Sequence, residues 1–361
     1  MKRLFATAAA ALLAAACFSP VDVQAISAKK AILLDGTTGR VLYEKDSDSR
    51  SLIASTTKIM TALIVCEQCN VLDRLRIPAE AVGVEGSSMY LQEGEILSVQ
   101  ELLYGMMLHS GNDAATALAI YCGGTVAGFA ELMNDKAREL GLEDTHFVNP
   151  HGLDAPDHYS TARDLAALSA YALENPIFAT TVGAKTVRVG QRYLTNHNKL
   201  LWRVEGANGV KTGYTKAAGR ILVSGAKRQG RQLICVTVDA PSDWQDHASL
   251  LEQGFSQYSV VRIISAGDEI GTAEVSGGAE RTVKLIAAED FFYPLADGEQ
   301  MTFALPHGGF VYAPVTADAP AGKLHVFING SAVGSVELLY ESTVEMKEEG
   351  ETSFWRRLLG K

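Results

Sequence analysis

The alternation of apolar and polar positions divides the chain into two regions of different period. In the first, apolar runs at Lys30–Asp35 and Arg40–Glu44 flank a turn rich in Gly and Thr, the pattern of a β-hairpin. From Ser55 to Cys66 the period lengthens: Ile59, Met60, Leu63 and Ile64 recur at three- and four-residue spacing, which predicts a helix. Ser98 stands as an N-cap for a helix from Val99 to Leu108, with Glu101 completing a capping box. Further helices are predicted from Asn112 to Tyr121, from Val126 to Leu140 and from Thr161 to Glu174, the last ended by Asn175-Pro176. Strand patterns follow at Val187–Leu194, Val210–Thr215, Arg220–Lys227 and Gln232–Asp239, with Gly219 and Gly230 marking turns. Strands at both ends and helices between them predict an α+β domain, an antiparallel sheet flanked by helices.

From Val260-Val261-Arg262-Ile263-Ile264 onward the pattern is short strands punctuated by glycine, with no long helical period. This predicts a small all-β domain of about 80 residues, of the sandwich type. The expected division is residues 26–259, then 260–342, then a charged linker and short tail over 343–361. At the other end, Met1-Lys2-Arg3, an Ala/Leu-rich run to Cys17 and Val23-Gln24-Ala25 read as an export signal cleaved after Ala25. The apolar run is too short to span a bilayer comfortably. Lipid attachment at Cys17 lacks the usual large aliphatic residue before the small pair. In the tail, Phe354/Leu358 and Trp355/Leu359 lie at i, i+4 with Arg356 and Arg357 between, a short basic amphipathic segment suited to a membrane surface.

Composition narrows the function classes. The 361 residues are 47% hydrophobic and 20% charged, ordinary for a globular chain. A net charge of −10 without a Lys/Arg cluster argues against nucleic acid as a partner. Cys66 and Cys69 sit at i, i+3, but Cys122 and Cys235 are too far apart to supply the second pair of a zinc ribbon. The favoured reading of these cysteines is small core residues, with an incidental disulfide as the alternative.

Three short motifs then carry the chemistry: Ser55-Thr56-Thr57-Lys58, Ser110-Gly111-Asn112 and Lys211-Thr212-Gly213. Each alone is common, and alone each reads as a helix cap, a turn and a strand with a solvated lysine. In this order, behind an export signal, they form a serine acyl-transfer constellation. Ser55 is the candidate nucleophile, and Lys58, one helical turn on, the candidate base. A lysine can accept a proton only if burial or a second cation lowers its pKa, and Lys211 is the candidate cation. Ser110 is read as a proton relay to the leaving amine and Asn112 as a contact to the substrate amide. Lys211 and Thr212 are read as binding a substrate carboxylate. Gly213 admits the substrate backbone to the strand edge. The backbone N–H groups of Ser55 and Tyr214 are the candidate oxyanion hole.

Longer stretches support these motifs: Ile53–Ala62, His109–Ala115, Asn149-Pro150-His151-Gly152-Leu153-Asp154, Ser160–Leu165, Asn196–Leu201 and Gly209–Thr215. With them the chain, from about Ala28 to the tail, resembles the D-alanyl-D-alanine carboxypeptidase family, the low-molecular-weight penicillin-binding proteins. The resemblance implies a penicillin-recognising serine transferase/β-lactamase-like domain followed by a β-rich domain and a membrane anchor. It implies removal of the terminal D-alanine from peptidoglycan peptide stems at the outer face of the cytoplasmic membrane. Covalent inhibition by β-lactams is implied as well. By motif, the family's roles fall on Ser55, Lys58, Ser110, Asn112, Lys211 and Thr212. One departure stands out: some relatives carry an arginine shortly before the last helix of the catalytic domain, and Ala240-Pro241-Ser242-Asp243-Trp244 holds none. Carboxylate recognition is then expected to rest on Lys211 and Thr212.

Rival readings lack their residues. A class A β-lactamase needs a glutamate to activate the deacylating water, and His146–His151 replaces the expected segment. A zinc D,D-peptidase needs clustered ligands, whereas the eight histidines are scattered and none forms H-E-x-x-H, so no metal and no cofactor is expected. His151 and His158 are read as hydrogen-bonded loop residues. A β-lactam-binding sensor or inactive module remains the alternative from another class.

Overall fold

The structure, a computed structural model, describes residues 26–305 and 310–347. The expected export signal over residues 1–25, Cys17 within it and the segment Phe354–Leu359 lie outside the described residues.

Strands β1 (Lys30–Asp35) and β2 (Val41–Lys45) make the expected hairpin. Helix α1 (Lys58–Gln68) follows, then the short pair β3 (Arg74–Arg76) and β4 (Ile96–Ser98). Helices α2 (Val99–Leu108), α3 (Asn112–Gly123), α4 (Val126–Glu139), α5 (Ala162–Glu174) and α6 (Pro176–Gly183) come next. The hairpin β5 (Thr186–Val189)/β6 (Arg192–Thr195) and the single turn α7 (Leu200–Arg203) lead into β7 (Ala207–Thr215), β8 (Gly219–Arg228) and β9 (Arg231–Val238). Helix α8 (Asp243–Gln257) closes the domain. The five-stranded sheet runs β2-β1-β9-β8-β7, antiparallel throughout, so β7 is an edge strand.

Strand alternation makes the sheet the middle of three layers. Ile32 and Leu34 of β1, Ile221 and Val223 of β8, and Ile234, Val236 and Val238 of β9 join the core with α1–α6. The intervening Leu33, Ala226, Leu233 and Cys235 pack instead with Leu250 and Leu251 of α8. Each such aliphatic side chain removed from water stabilises the fold by roughly 1.5–3 kcal/mol. His247 pins α8 to the sheet, its ring nitrogens bonded to Ser224 Oγ (2.6 Å) and Thr237 Oγ1 (2.9 Å). Helix α1 is buried from Lys58 through Cys66, so it runs through the interior and carries Lys58 in with it.

Four details differ from the sequence expectation. The run from Ser55 does not begin as an α-helix: Ala54–Thr57 is a 3₁₀ turn in which Thr56 Oγ1 donates to the Ile53 carbonyl, and α1 starts at Lys58. Asn175-Pro176 ends α5 but also starts α6, because Asn175 Oδ1 accepts from the Ile177 and Phe178 N–H groups and Pro176 fits a first helical turn. The Val187–Leu194 strand is a hairpin turning at Gly190, whose φ is 57°. Residues 343–347, expected to open the linker, pack on the second domain instead: Val344 is buried and pairs with Val315, and Lys347 N–H donates to the Gly277 carbonyl.

The second domain starts at β10 (Tyr258–Ile264), directly after α8. Strands β11 (Glu269–Ser276), β12 (Thr282–Ala287), β13 (Phe291–Ala296), β14 (Met301–Ala304), β15 (Phe310–Tyr312), β16 (Pro320–Ile328) and β17 (Ser331–Tyr340) complete it. A six-stranded sheet, β14-β16-β17-β12-β11-β15, faces the pair β10-β13. Ile264 and Phe291 of the pair pack with Leu285, Leu324, Val326, Val336 and Leu338 of the larger sheet. Arg40, in the β1–β2 turn, crosses to this domain: it donates to the Pro294 carbonyl and both Glu299 carboxylate oxygens, and lies 5.0 and 5.1 Å from the ring centres of Tyr258 and Tyr293. Its side chain is only 13% exposed, so the charge is neutralised where water is largely absent.

Candidate active site

The 3₁₀ turn, the start of α3 and the edge strand β7 converge on one cleft of about 380 Å³ lined by Ser55, Ser87, Ser110, His197, Thr212, Gly213, Tyr214 and Arg220. A larger cavity of about 840 Å³ lies near the domain junction, where Arg228 pairs with Glu252 and Arg231 with Asp35.

Ser55 is half-buried while Ala54, Thr56, Thr57 and Lys58 around it are buried, so its hydroxyl is the part of the turn open to the cleft. The turn is held in an uncommon conformation. Ala54 has a φ of 45°, in the left-handed region that costs a residue with a Cβ of order 1–3 kcal/mol. Gly152 packs onto it so closely that a Cβ there would overlap the Ala54 carbonyl. On the other side, a Cβ on Gly213 would stand 3.3 Å from the Ser55 nitrogen, so the bare glycine lets β7 approach the serine.

Lys58 is fully buried, and its Nζ has three oxygen neighbours: Ser55 Oγ at 3.0 Å, Asn112 Oδ1 at 2.7 Å and the His151 carbonyl at 2.6 Å. Burial, then the charge of Lys211, pushes its pKa well below the usual lysine range; Asp113 opposes this weakly. Two neighbours can only accept. Asn112 is oriented because its Nδ2 donates to the Glu85 carbonyl, and His151 O is a carbonyl. A neutral lysine therefore donates its two N–H groups to Asn112 and His151, and its lone pair faces the Ser55 hydroxyl. The Asn149 carboxamide holds the loop that presents His151, accepting from the His151 and Gly152 N–H groups at 3.2 and 2.7 Å.

Ser110 lies in the same cleft, nearly buried, with a φ of 62°. The Asn112 carboxamide bonds Lys58 through Oδ1 and Glu85 through Nδ2, which positions the lysine and still leaves one N–H and one lone pair of the amide uncommitted. Asp113, which the motif reading passed over, is buried and accepts from Ser88 Oγ (2.6 Å) and the Met89 and Leu91 N–H groups, fixing the loop that carries Ser87. Lys211 is 1% exposed, its Nζ donating to the Thr212 carbonyl at 3.0 Å, and burial draws its pKa down to about 7. His158 accepts from the Val148 N–H at Nδ1, which leaves Nε2 to donate to Thr57 Oγ1 at 2.8 Å; His151 Nδ1 accepts from Leu153 N–H.

Arg220 was not legible as a site residue. It stands across from Tyr214 in the β7–β8 ladder, at the cleft, and binds Asp243 through both carboxylate oxygens at 2.8–3.1 Å. Segment 240–244 lacks an arginine, yet its Asp243 holds Arg220 of β8 at the cleft. The signal was the short β7–β8 turn, which puts Arg220 opposite Tyr214.

This architecture, a helical layer and an antiparallel sheet meeting at a serine–lysine pair, followed by an all-β domain, is that of the penicillin-recognising serine enzymes. The family model for D-alanyl-D-alanine carboxypeptidase matches residues 17–242, and that for the penicillin-binding protein 5 C-terminal domain matches residues 258–346. D-alanyl-D-alanine carboxypeptidase DacF of Bacillus subtilis is 32% identical over 92% of this chain and 89% of its own length. DacD of Escherichia coli is 32% identical over 94% of this chain and 91% of its own. The crystal structure of penicillin-binding protein 5 from Haemophilus influenzae superposes with a TM-score of 0.78 at 30% identity, covering 90% of this chain and 99% of that one. The chain belongs to the D-alanyl-D-alanine carboxypeptidase family.

Proposed function

We propose that the protein is a serine D-Ala-D-Ala carboxypeptidase that removes the terminal D-alanine from peptidoglycan stems through an acyl-enzyme on Ser55. The observation that carries this is the buried Lys58 amine 3.0 Å from Ser55 Oγ. Lys58 takes the Ser55 proton as Oγ attacks the penultimate carbonyl. The backbone N–H groups of Ser55 and Tyr214 receive the developing oxyanion. Ser110 relays the proton to the leaving D-alanine amine, and water then hydrolyses the ester. Incubation with a pentapeptide ending in D-Ala-D-Ala tests the reading: steady release of free D-alanine is expected, whereas one burst without turnover identifies the sensor alternative. Penicillin enters the same path, and with no glutamate among His146–His151 its ester is expected to clear slowly.

The peptide's terminal carboxylate is assigned to Lys211, Thr212 and Arg220. Lys211, at a pKa of about 7, gains most from an arriving anion, which restores its charge. Arg220→Gln is expected to lower kcat/KM for a peptide with a free C-terminus by about 10- to 100-fold, while the matching C-terminal amide is cleaved equally by both proteins. An equal loss on both peptides would assign Arg220 a structural role with Asp243 alone.

Placement at the outer face of the cytoplasmic membrane is proposed from the tail sequence. Among the described residues no single helix is long and apolar enough to cross a membrane. Phe354, Trp355, Leu358 and Leu359 would enter the interface while Arg356, Arg357 and Lys361 meet anionic headgroups. Deleting Ser353 to Lys361 is expected to move the protein from the membrane to the soluble fraction with peptide hydrolysis unchanged. Full-length protein already soluble at low salt would refute the anchor.

A further inference from the structure

The C-terminal ends of α1 and α3 meet outside the cleft, and they bring two half-buried cysteines together. Cys69 caps α1 and Cys122 lies in the last turn of α3. Two contacts fasten these ends: Tyr121 Oη donates to Asp73 Oδ2 at 2.8 Å, and Cys122 Sγ donates to Oε1 of Gln68, the neighbour of Cys69 in the chain, at 3.7 Å. The Cys69 and Cys122 thiols, both free, are near enough that each shifts the other's acidity, the Cys69 pKa upward and the Cys122 pKa downward. Both side chains also pack against the same hydrophobic core. The other thiols are placed differently. Cys66 is buried, with burial pushing its thiol up to about 12, and Cys235 is fully buried on the α8 side of the sheet.

We propose that Cys69 and Cys122 form a disulfide in the exported protein, joining the C-terminal end of α1 to that of α3. The oxidant is a disulfide-bearing partner, either a thiol–disulfide oxidoreductase or a small-molecule disulfide. Cys122, whose thiol the neighbouring Cys69 makes more acidic, supplies the first thiolate. It attacks one oxidant sulfur, breaking that S–S bond and releasing one thiol. Cys69, having lost its proton to solvent, then attacks the Cys122 sulfur of the mixed disulfide and releases the second thiol. Two protein thiols are oxidised and one oxidant disulfide is reduced to two thiols. The same two helices are already joined at their N-terminal ends, where Lys58 Nζ meets Asn112 Oδ1 at 2.7 Å. The bridge therefore closes the far end of the helix pair that carries the base and its positioning residue.

This inference rests on export and not on the peptidase reading. The test is peptide mapping of the full-length protein, purified after export and alkylated without reductant. A cross-linked peptide pair containing Cys69 and Cys122 is expected, abolished by prior reduction and regenerated by oxidised glutathione. Cys66 and Cys235 should alkylate only after unfolding. Reduction should lower the thermal midpoint by about 5–10 °C in the wild type and leave that of Cys122→Ser unchanged. Four alkylated thiols after treatment with oxidised glutathione, or a Cys66–Cys69 cross-link, would overturn the proposal. The mapping reads no activity, so its outcome is independent of whether D-alanine is released.

Discussion

Lys58→Arg should lower the rate of acylation, by peptide and by penicillin alike, by at least ~10³-fold. The arginine keeps a positive charge at a site that requires none in the resting state, and it cannot give up its proton. A positioned general base contributes about 10²–10⁴-fold, and disturbed geometry adds to the loss. The same buried lysine sets the acid side of the pH profile. Its pKa is depressed, so the active, neutral form persists well below the ordinary lysine range and is lost as pH falls through that depressed value. The alkaline side belongs to Lys211, which must be charged to meet a carboxylate and loses its proton above about 7 in the free enzyme. kcat/KM should therefore fall from about that pH upward. The alkaline limb of kcat should lie higher, because the bound carboxylate holds the Lys211 proton. Near-normal acylation of Lys58→Arg would assign the base elsewhere.

Ser55→Ala is expected to abolish both D-alanine release and β-lactam labelling, a loss of about 10⁴-fold or more. Mass spectrometry of the penicillin-treated wild type should find the full mass of the drug on the proteolytic peptide carrying Ser55. The substitution should leave folding little changed. Thr56 makes the hydroxyl bond within the turn, to the Ile53 carbonyl, whereas the Ser55 hydroxyl meets only Lys58 and the cleft. Label on any other residue would overturn the assignment of Ser55.

Local chemistry was legible in the sequence wherever the partners are close along the chain. Both bonds of the Ser98/Glu101 capping box are present, and Thr161 caps α5 through the Asp164 N–H. The three motifs were readable because each is contiguous. What they bind was not, because the partners come from segments with no shared pattern: the His151 carbonyl reaches Lys58 across 93 positions, and Asp243 reaches Arg220 across 23. A backbone carbonyl leaves no trace in side-chain composition, so its role at Lys58 is visible only in three dimensions. The 3₁₀ start of α1 escaped for a similar reason. Apolar period fixes the face of a helix better than its first turn, where hydroxyl side chains compete for backbone groups.

The three oxygens around Lys58 Nζ have a consequence for the barrier itself. Before the reaction the amine donates to Asn112 and His151 and accepts from Ser55; afterwards the ammonium donates to all three. One proton changes owner and no heavy atom need move. In water, the charge created by such a transfer forces the surrounding dipoles to turn, and that reorganisation energy is a large part of the activation barrier. Here the acceptors stand beforehand where the cation forms, held by Glu85 and by the Asn149 loop. The acceptors for the ammonium are thus in place before it forms, although burial and Lys211 keep the resting amine neutral.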